Sequence, residues 1–382
     1  MKMIYLDNAA TTKVDERVLK AMQPYFTEKY INASSKHIFG NQASDAVEKS
    51  RAIIAKSIKA TPYEIIFTSG GTESNNLALK GLFFANSKKH IITTKIEHDC
   101  ILNTCKWLEK QGAKITYLDV DKNGFVNPDE LEKAITPDTL CFSCIHGNNE
   151  IGTIQNLEVL GNICKKHNIY FHTDACQSYT KTKLNVKKQN LDLVTLNAHK
   201  IHGPKGVGAL YVKAGIKLTP LLHGGGHEKG LRSGTENVPG IVGFATAVKL
   251  ANKKHIKHMQ TLRDKIISNL LEIPGVKLNG SRQARLCNNI NVSFNNIEGE
   301  SIGGDLEDKG IYTSTGSACL SHSLQSSHVL KAIGLTGLEA NSSLRITLSR
   351  FTTQQEVDTF LKEIKGVVKR LRKISPIKLN GK

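Results

Sequence analysis

Short apolar runs alternate with stretches of helical periodicity through the first two thirds of the chain, and small or polar residues follow most of the runs. The runs that predict strands span residues 64–68, 90–95, 114–119, 139–145, 169–173, 191–196 and 207–212. Helical spacing occurs between them, for example over residues 74–86, 99–111 and 157–167. Strands that alternate with helices of this length predict an α/β fold, with a mainly parallel sheet covered by helices on both faces.

The two ends of the chain are organised differently. We predict a loop over residues 32–40, then a helix over residues 42–58, and further on a single long amphipathic helix over residues 238–271. Beyond it, strands are predicted over residues 276–280, 289–294 and 344–348, and helices over residues 302–309 and 354–371. We therefore expect a large domain over residues 15–255, and a smaller α+β domain formed by residues 1–14 and 256–382.

Composition excludes several classes of protein. With 39% hydrophobic and 23% charged residues, the chain resembles an ordinary globular protein. It has no run of about eighteen apolar residues, and its first residues lack the apolar core of a signal peptide. We therefore expect a cytoplasmic protein without a membrane segment. The net charge of +18 favours acidic partners or nucleic acid, but the lysines are spread along the chain, so RNA contact remains a minority alternative.

The eight cysteines are too scattered for a disulfide framework, and a cytosolic location would keep them reduced. Cys141 and Cys144 lie within an apolar strand-like run, and we interpret them as core residues. Cys319 lies instead among small polar residues without an apolar period. An exposed thiol of this kind is either reactive or an incidental surface cysteine, and its surroundings leave both open.

Lys200 lies just past the end of the apolar run 191–196, and the glycines and proline of residues 203–206 predict a turn beyond it. A lysine held against packed apolar surface loses solvation of its charged form. Its neutral amine then becomes a usable nucleophile and base. Taken alone, a surface lysine in a turn is the simpler interpretation.

Other polar residues follow the predicted strands in the same way. Gly70, Gly71 and Thr72 open a helix whose N-terminus could bind a phosphate group. Asp174 ends a strand, where it could hold a proton on a ring nitrogen or simply cap the next turn. His98 begins a helix, where it could stack on a flat ring, shuttle protons or serve as a cap.

Three further observations concern anions and metals. Asn149 and Gln177 carry amides that could bind an oxygen of a ligand, although loop amides are common. Arg345 stands among apolar residues of a predicted strand, so an anionic partner such as a substrate carboxylate is expected. His223 and His227 are separated by three glycines that disfavour the helix they would need to converge on a metal, and we expect no metal site.

Taken in order, these segments resemble the cysteine desulfurases of the NifS/IscS type, which are pyridoxal-phosphate enzymes with the aspartate-aminotransferase fold (fold type I). The resemblance extends from Tyr5 to Thr353. Its most specific pieces are Ser69-Gly70-Gly71-Thr72-Glu73-Ser74-Asn75-Asn76, Asn148-Asn149-Glu150-Ile151-Gly152, His199-Lys200 with Gly203-Pro204-Lys205-Gly206, Arg232-Ser233-Gly234-Thr235 and Ser317-Ala318-Cys319.

The resemblance implies a role for each of these residues. Lys200, Cys319 and His98 would be catalytic, with Lys200 bonded to the cofactor and Cys319 accepting the sulfur. Residues implied to bind pyridoxal 5′-phosphate are Gly71, Thr72, His98, Asn149, Asp174, Gln177, Asn197, His199, Lys200 and Thr235. Within this set Asp174 would pair with the pyridine nitrogen, and Thr235 would reach the phosphate of a partner subunit. Arg345 and Asn149 would bind the substrate.

The implied reaction converts L-cysteine to L-alanine and leaves a persulfide on Cys319. The implied assembly is a homodimer with shared active sites. Sulfur would pass to an iron–sulfur scaffold protein or another acceptor, for cluster assembly or tRNA thiolation. An aminotransferase or selenocysteine lyase of the same fold, and a basic RNA-contacting scaffold, are the alternatives. The chain departs from the usual pattern at Asn197, where a serine is common, and at Cys176, where a threonine is common.

Overall fold

The computed structural model describes residues 3–315 and 326–375. The strands are β1 (Ile4–Tyr5), β2 (Ile65–Thr68), β3 (His90–Thr94), β4 (Lys114–Leu118), β5 (Thr139–Ser143), β6 (Tyr170–Asp174), β7 (Leu193–Asn197), β8 (Gly208–Val212), β9 (Val276–Leu278), β10 (Asn289–Phe294), β11 (Ile311–Tyr312) and β12 (Ser343–Thr347). The helices are α1 (Glu16–Met22), α2 (Pro24–Thr27), α3 (Ile38–Ser57), α4 (Gly71–Ala85), α5 (Asp99–Glu109), α6 (Pro128–Ala134), α7 (Leu157–Lys166), α8 (Val238–Leu250), α9 (Lys253–Leu271), α10 (Gly299–Glu307), α11 (His328–Ala332), α12 (Gly337–Asn341) and α13 (Gln354–Ile374).

Seven strands form one sheet in the order β2-β8-β7-β6-β5-β3-β4. β8 is antiparallel to both of its neighbours, and every other neighbouring pair in this sheet is parallel. Because β8 is antiparallel to both β7 and β2, β2 runs in the same direction as the parallel strands. The predicted mainly parallel sheet is confirmed.

Successive residues of the strands enter two different hydrophobic cores. Val194 and Ala209 belong to a core that includes residues of α3, α7 and α8, whereas Leu193 and Leu210 belong to one that includes residues of α4 and α5. Side chains alternate between the faces of a strand, so this division shows that helices cover both faces. Cys141 and Cys144 are completely buried, which confirms that they are core residues.

A third hydrophobic core lies around the antiparallel sheet β12-β10-β9. Helices α9 and α13 contribute to it, and so do Ile4 and Leu6 from the start of the chain. The N-terminal strand β1 pairs in parallel with β11. The N-terminal segment thus packs with the C-terminal third of the chain, while the domain boundary at residue 255 stays a prediction.

Several helix predictions were wrong at their boundaries. Helix α10 begins at Gly299 and not at residue 302, and α4 begins at Gly71 and not at residue 74. Helix α3 begins at Ile38 and not at residue 42, because His37 Nδ1 accepts the backbone N–H of Gly40 and caps the helix. The predicted single helix over residues 238–271 is two helices, α8 and α9. Asn252 adopts an extended backbone between them, and its side chain accepts the N–H of His255 at 3.0 Å, which starts α9 afresh.

A buried ion pair joins α3 to the loop that follows residue 222. Arg51 donates to both carboxylate oxygens of Glu228, at 2.7 and 2.8 Å, and the side chains are only 6% and 4% exposed. The backbone N–H of Phe67 in β2 donates to the same carboxylate. Glu228 has a φ of +49°, a backbone conformation that residues other than glycine rarely adopt. These contacts therefore hold the loop in a backbone conformation that is unfavourable by itself.

We predict that Glu228→Ala lowers the free energy of unfolding by about 3 kcal/mol, because the buried Arg51 guanidinium then keeps only the largely exposed Glu48 as a carboxylate partner. Urea unfolding measures the change. The double variant Arg51→Met/Glu228→Ala should lose less than the sum of the two single variants. Lys188→Ala is the control, since its pair with Glu158 is exposed and should cost less than about 1 kcal/mol. A loss that small at Glu228 would contradict the prediction.

Candidate active site

The strands bring the predicted polar residues to one edge of the seven-stranded sheet. Residues that follow the carboxyl ends of β2, β3, β5, β6 and β7 surround a cavity of about 210 Å³. Ligands bind at this edge in parallel α/β sheets. Nine of the residues predicted for the site line the cavity, namely Gly71, Thr72, His98, Asn149, Asp174, Asn197, His199, Lys200 and Arg345.

Asp174, the last residue of β6, is a buried carboxylate compensated by hydrogen bonds. Its Oδ1 accepts the backbone N–H of Cys176 at 2.8 Å, and its Oδ2 accepts Asn75 Nδ2 at 2.7 Å. Burial by itself would raise the pKa of Asp174, but these hydrogen bonds and the nearby His98 outweigh it and hold the pKa below its usual value. Asp174 is therefore a fixed negative charge in the wall of the cavity.

Lys200 lies just beyond β7 and is half-buried in the cavity wall. Its ammonium group affects both neighbouring histidines. Burial and the charge of Lys200 lower the pKa of His98, and they lower the pKa of His199 to about 4 with help from Lys205 and Lys181. Both imidazoles are therefore neutral near pH 7. Lys200 and the negatively charged Asp174 line the same cavity.

The cavity also borders the N-terminus of α4, which begins at Gly71. A Cβ atom on Gly71 would lie 2.7 Å from Cys176 Sγ, closer than van der Waals contact allows. The free backbone N–H groups and the positive end of the helix dipole favour an anion here. Glu73 in the first turn does not cancel this field, because Arg232 donates to it at 2.9 Å.

Arg345 projects from β12 of the small sheet into the same cavity. Its Nη2 donates to Asp7 at 2.9 Å and to Ser314 Oγ at 3.2 Å, and its Nη1 donates to the backbone oxygen of Asn149 at 3.3 Å. The anionic partner expected for this arginine is thus Asp7 of the chain itself. Arg345 Nε has no hydrogen-bond partner among the described residues.

Three of the predicted site residues are not part of the cavity wall. Gln177 is buried, and its Nε2 donates to the backbone oxygen of Ala9, which does line the cavity. Thr235 is exposed, away from the cavity. Cys319 lies outside the described residues.

Sequence reasoning missed five residues of the cavity wall, which are Ala9, Ala10, Asn75, Cys100 and Cys176. Asn75 stood inside a quoted motif, but its role depends on its contact with Asp174, which lies 99 residues further along the chain. Cys100 follows His98 by two residues, and the cap that His98 makes could have indicated it. The two alanines carry no chemical signal in the sequence.

Comparison with known proteins agrees with this geometry. Residues 4–360 match the class-V aminotransferase family. The chain belongs to this family. Cysteine desulfurase IscS of Methanosarcina thermophila is 50% identical over 381 residues, which cover 98% of this chain and 94% of that protein.

Two solved structures are similar over most of this family member. A NifS-like protein superimposes with a TM-score of 0.91 at 42% identity and covers 97% of this chain and 100% of its own. SspA in complex with cysteine superimposes with a TM-score of 0.83 at 40% identity and covers 92% of this chain and 100% of its own. The predicted fold class and the resemblance are both confirmed.

Class-V aminotransferases of this kind depend on pyridoxal 5′-phosphate, and so does this member. The residues around the cavity fit that cofactor. A lysine, a buried carboxylate and a helix N-terminus match its aldehyde, its ring nitrogen and its phosphate. The buried side-chain oxygens of Asn149 and Asn197 lack partners among the described residues, as expected where a polar ligand completes the hydrogen bonds.

We predict that Gly71→Ala weakens the binding of pyridoxal 5′-phosphate about tenfold or more, because the added methyl group must displace Cys176 Sγ and the start of α4. Titration of cofactor-free protein, followed by absorbance, measures the affinity. Gly71→Ala/Cys176→Ala should recover most of it, since the second change removes the sulfur. Gly303→Ala is the control, as no atom lies within 4 Å of its added Cβ. Equal affinities in all variants would contradict the prediction.

Proposed function

We propose that this chain is a cysteine desulfurase, which converts L-cysteine to L-alanine and leaves the sulfur as a persulfide on Cys319. One observation carries the proposal: Lys200, Asp174 and Arg345 line a single cavity in a chain whose relatives are cysteine desulfurases over nearly their full length. An amine, a carboxylate and a guanidinium are the groups that the reaction requires. When bound, pyridoxal 5′-phosphate supplies an electron sink for the negative charge that develops on the substrate Cα.

Lys200 is proposed both to hold the cofactor covalently and to move protons. When it is not bonded to the cofactor, the Lys200 amine would take the proton from the substrate Cα and would later return one to the product. Asp174 keeps its negative charge throughout, since its hydrogen bonds hold its pKa low. That fixed charge favours a proton on the ring nitrogen. Neutral His98 can donate a hydrogen bond to the reacting groups without adding charge.

Arg345 is proposed to bind the carboxylate of cysteine. In the structure its guanidinium pairs with Asp7 and contacts the backbone of Asn149, while its buried Nε has no hydrogen-bond partner among the described residues. A guanidinium has five N–H donors, so it can bind a substrate carboxylate while it keeps Asp7. Asn149 then lies beside both the substrate and the cofactor, as the resemblance implies.

The sulfur transfer requires the thiolate of Cys319, because a thiol is a poor nucleophile. The thiolate attacks the sulfur of the bound cysteine, a sulfur–sulfur bond forms, and the bond between that sulfur and Cβ breaks. Protonation of Cβ completes alanine, and the persulfide remains on the enzyme. Atoms and electrons balance without an added oxidant, because the electron pair of the broken bond stays on Cβ, which is reduced as the two sulfurs are oxidised to the persulfide level.

We further propose a homodimer in which Thr235 reaches the phosphate site of the partner subunit. Thr235 is exposed and away from the cavity of its own chain. Tyr30, Ile38 and Phe39 are exposed apolar side chains near the start of α3, and a second copy would cover such residues. The proposed sulfur acceptor is an iron–sulfur scaffold protein or a carrier for tRNA thiolation.

We place the reaction in the cytoplasm. The seven cysteines among the described residues are free, as a reducing compartment would keep them. Separately, no helix in the described part of the chain has the length and apolar character needed to cross a membrane.

The deciding experiment is the intact mass of the cofactor-loaded protein before and after L-cysteine is added. The wild type and Cys287→Ala should gain the mass of sulfur, whereas Cys319→Ala should not. Lys200→Ala should lose turnover by a factor of about 10² or more, because the proton transfers lose their base. If the mass stays constant while a keto acid forms, the protein is an aminotransferase. Persulfide transfer by Cys319→Ala would remove the cysteine from its role.

We predict that Arg345→Ala raises the KM for cysteine about 10- to 100-fold, because a carboxylate loses hydrogen bonds from a charged donor. Alanine formation over a range of cysteine concentrations measures it, and the cofactor absorbance should stay the same. Arg282→Ala is the control, since this arginine is exposed and outside the cavity. An unchanged KM in Arg345→Ala would show that the carboxylate binds elsewhere.

A further inference from the structure

Cys100 is a thiol in the active-site cavity that the proposed reaction does not use. Its Sγ lies 3.1 Å from Asn75 Nδ2 and 3.1 Å from His98 Nδ1. Asn75 Nδ2 also donates to Asp174 at 2.7 Å. The sulfur therefore stands between the amide that compensates Asp174 and the imidazole of His98.

The chemistry of the groups determines which atom donates in each of these hydrogen bonds. The Asn75 amide must turn its NH₂ group toward Asp174, since the opposite orientation would set its oxygen against a carboxylate. The NH₂ group only donates, so Cys100 Sγ accepts from it and the thiol proton is free to point elsewhere. His98 Nδ1 lies within reach of that proton.

His98 Nδ1 is an acceptor for a second, independent reason. It accepts the backbone N–H of Cys100 at 3.2 Å, which is the N-terminal cap of α5. A proton on Nδ1 would break both this cap and the contact with the thiol. The proton of the neutral imidazole is therefore carried by Nε2.

We infer that Cys100 is a positioning residue that links Asp174 and Asn75 to His98 and holds His98 as the neutral Nε2–H tautomer. Burial raises the pKa of the Cys100 thiol to about 12, so the thiol keeps its proton and is a donor and not a nucleophile. The relevance of this tautomer to catalysis depends on the function proposed above. The hydrogen-bond arrangement itself does not.

Several charged or titratable groups near His98 also affect the pKa of its imidazole. Lys200 and His328 disfavour protonation of the imidazole, while Asp174 and Asp99 favour it. None of these groups changes when Cys100 is replaced. A shift in the titration of His98 that depends on the residue at position 100 therefore reports the thiol.

The test is a long-range ¹H–¹⁵N NMR titration of the histidine-labelled, cofactor-loaded protein, with His98 assigned from the spectrum of His98→Gln. In the wild type we expect the Nε2–H tautomer at pH 7. Cys100→Ala should raise the pKa of His98 by about half to one unit, since protonation of Nδ1 no longer displaces a thiol donor. Cys100→Ser should stay close to the wild type, because a hydroxyl also accepts from Asn75 and donates to Nδ1.

A buried cysteine on the same helix provides the matched control. Cys105 lies in the core one and a half turns further along α5, and Cys105→Ala should leave the titration of His98 unchanged. The acid limb of the pH profile of kcat/KM should move with the NMR titration in Cys100→Ala and not in the control.

The inference is overturned if His98 carries its proton on Nδ1 in the wild type, if Cys100→Ala titrates like the wild type, or if Cys100→Ser titrates like Cys100→Ala. The last result would mean that only the packing of sulfur matters. Failure of the proposed function would look different: the loaded wild type would form no alanine from cysteine, while the NMR titration would still decide the role of Cys100.

Discussion

The active site depends on one constraint, the burial of the parallel strands on both faces. Because helices cover each face, a shift in register would disrupt the packing of apolar side chains on both faces, so the carboxyl ends of the strands stay aligned at one edge. Five strands running in the same direction then deliver their following residues to one place. That alignment forms most of the cavity wall, and Arg345 of the small sheet and the N-terminal segment complete it.

At that edge one charge is fixed by its surroundings. Asp174 keeps its negative charge through two hydrogen bonds, and Lys200 lines the same cavity. The histidines nearby remain neutral because burial and Lys200 both oppose their protonation. The neutral histidines add no charge where an amino acid and an anionic cofactor would bind.

The N-terminal segment connects the large sheet to the smaller one. Thr12 donates to the backbone oxygen of His199, beside Lys200, and Ala9 accepts the side chain of Gln177. Asp7 pairs with Arg345 of the small sheet. The short stretch from Asp7 to Thr12 thus contacts the loop that carries Lys200, the loop that follows Asp174 and the proposed substrate-binding Arg345. Its alanines, Ala9 and Ala10, line the cavity.

The sequence by itself determined the sheet and the helices that cover it, because period and strand ends are local signals that survive folding. Position in the predicted elements also pointed to seven residues of the cavity wall, whereas Asn197 and His199 were indicated only by the family resemblance. It missed the break at Asn252 and the early start of α3, which depend on single capping contacts. Only the tertiary structure decided that Arg345 pairs with Asp7 and that Cys100 bridges Asn75 and His98. The residues in these contacts are distant in the chain or belong to no sequence motif. Their roles therefore become visible only when packing brings their atoms within hydrogen-bond distance.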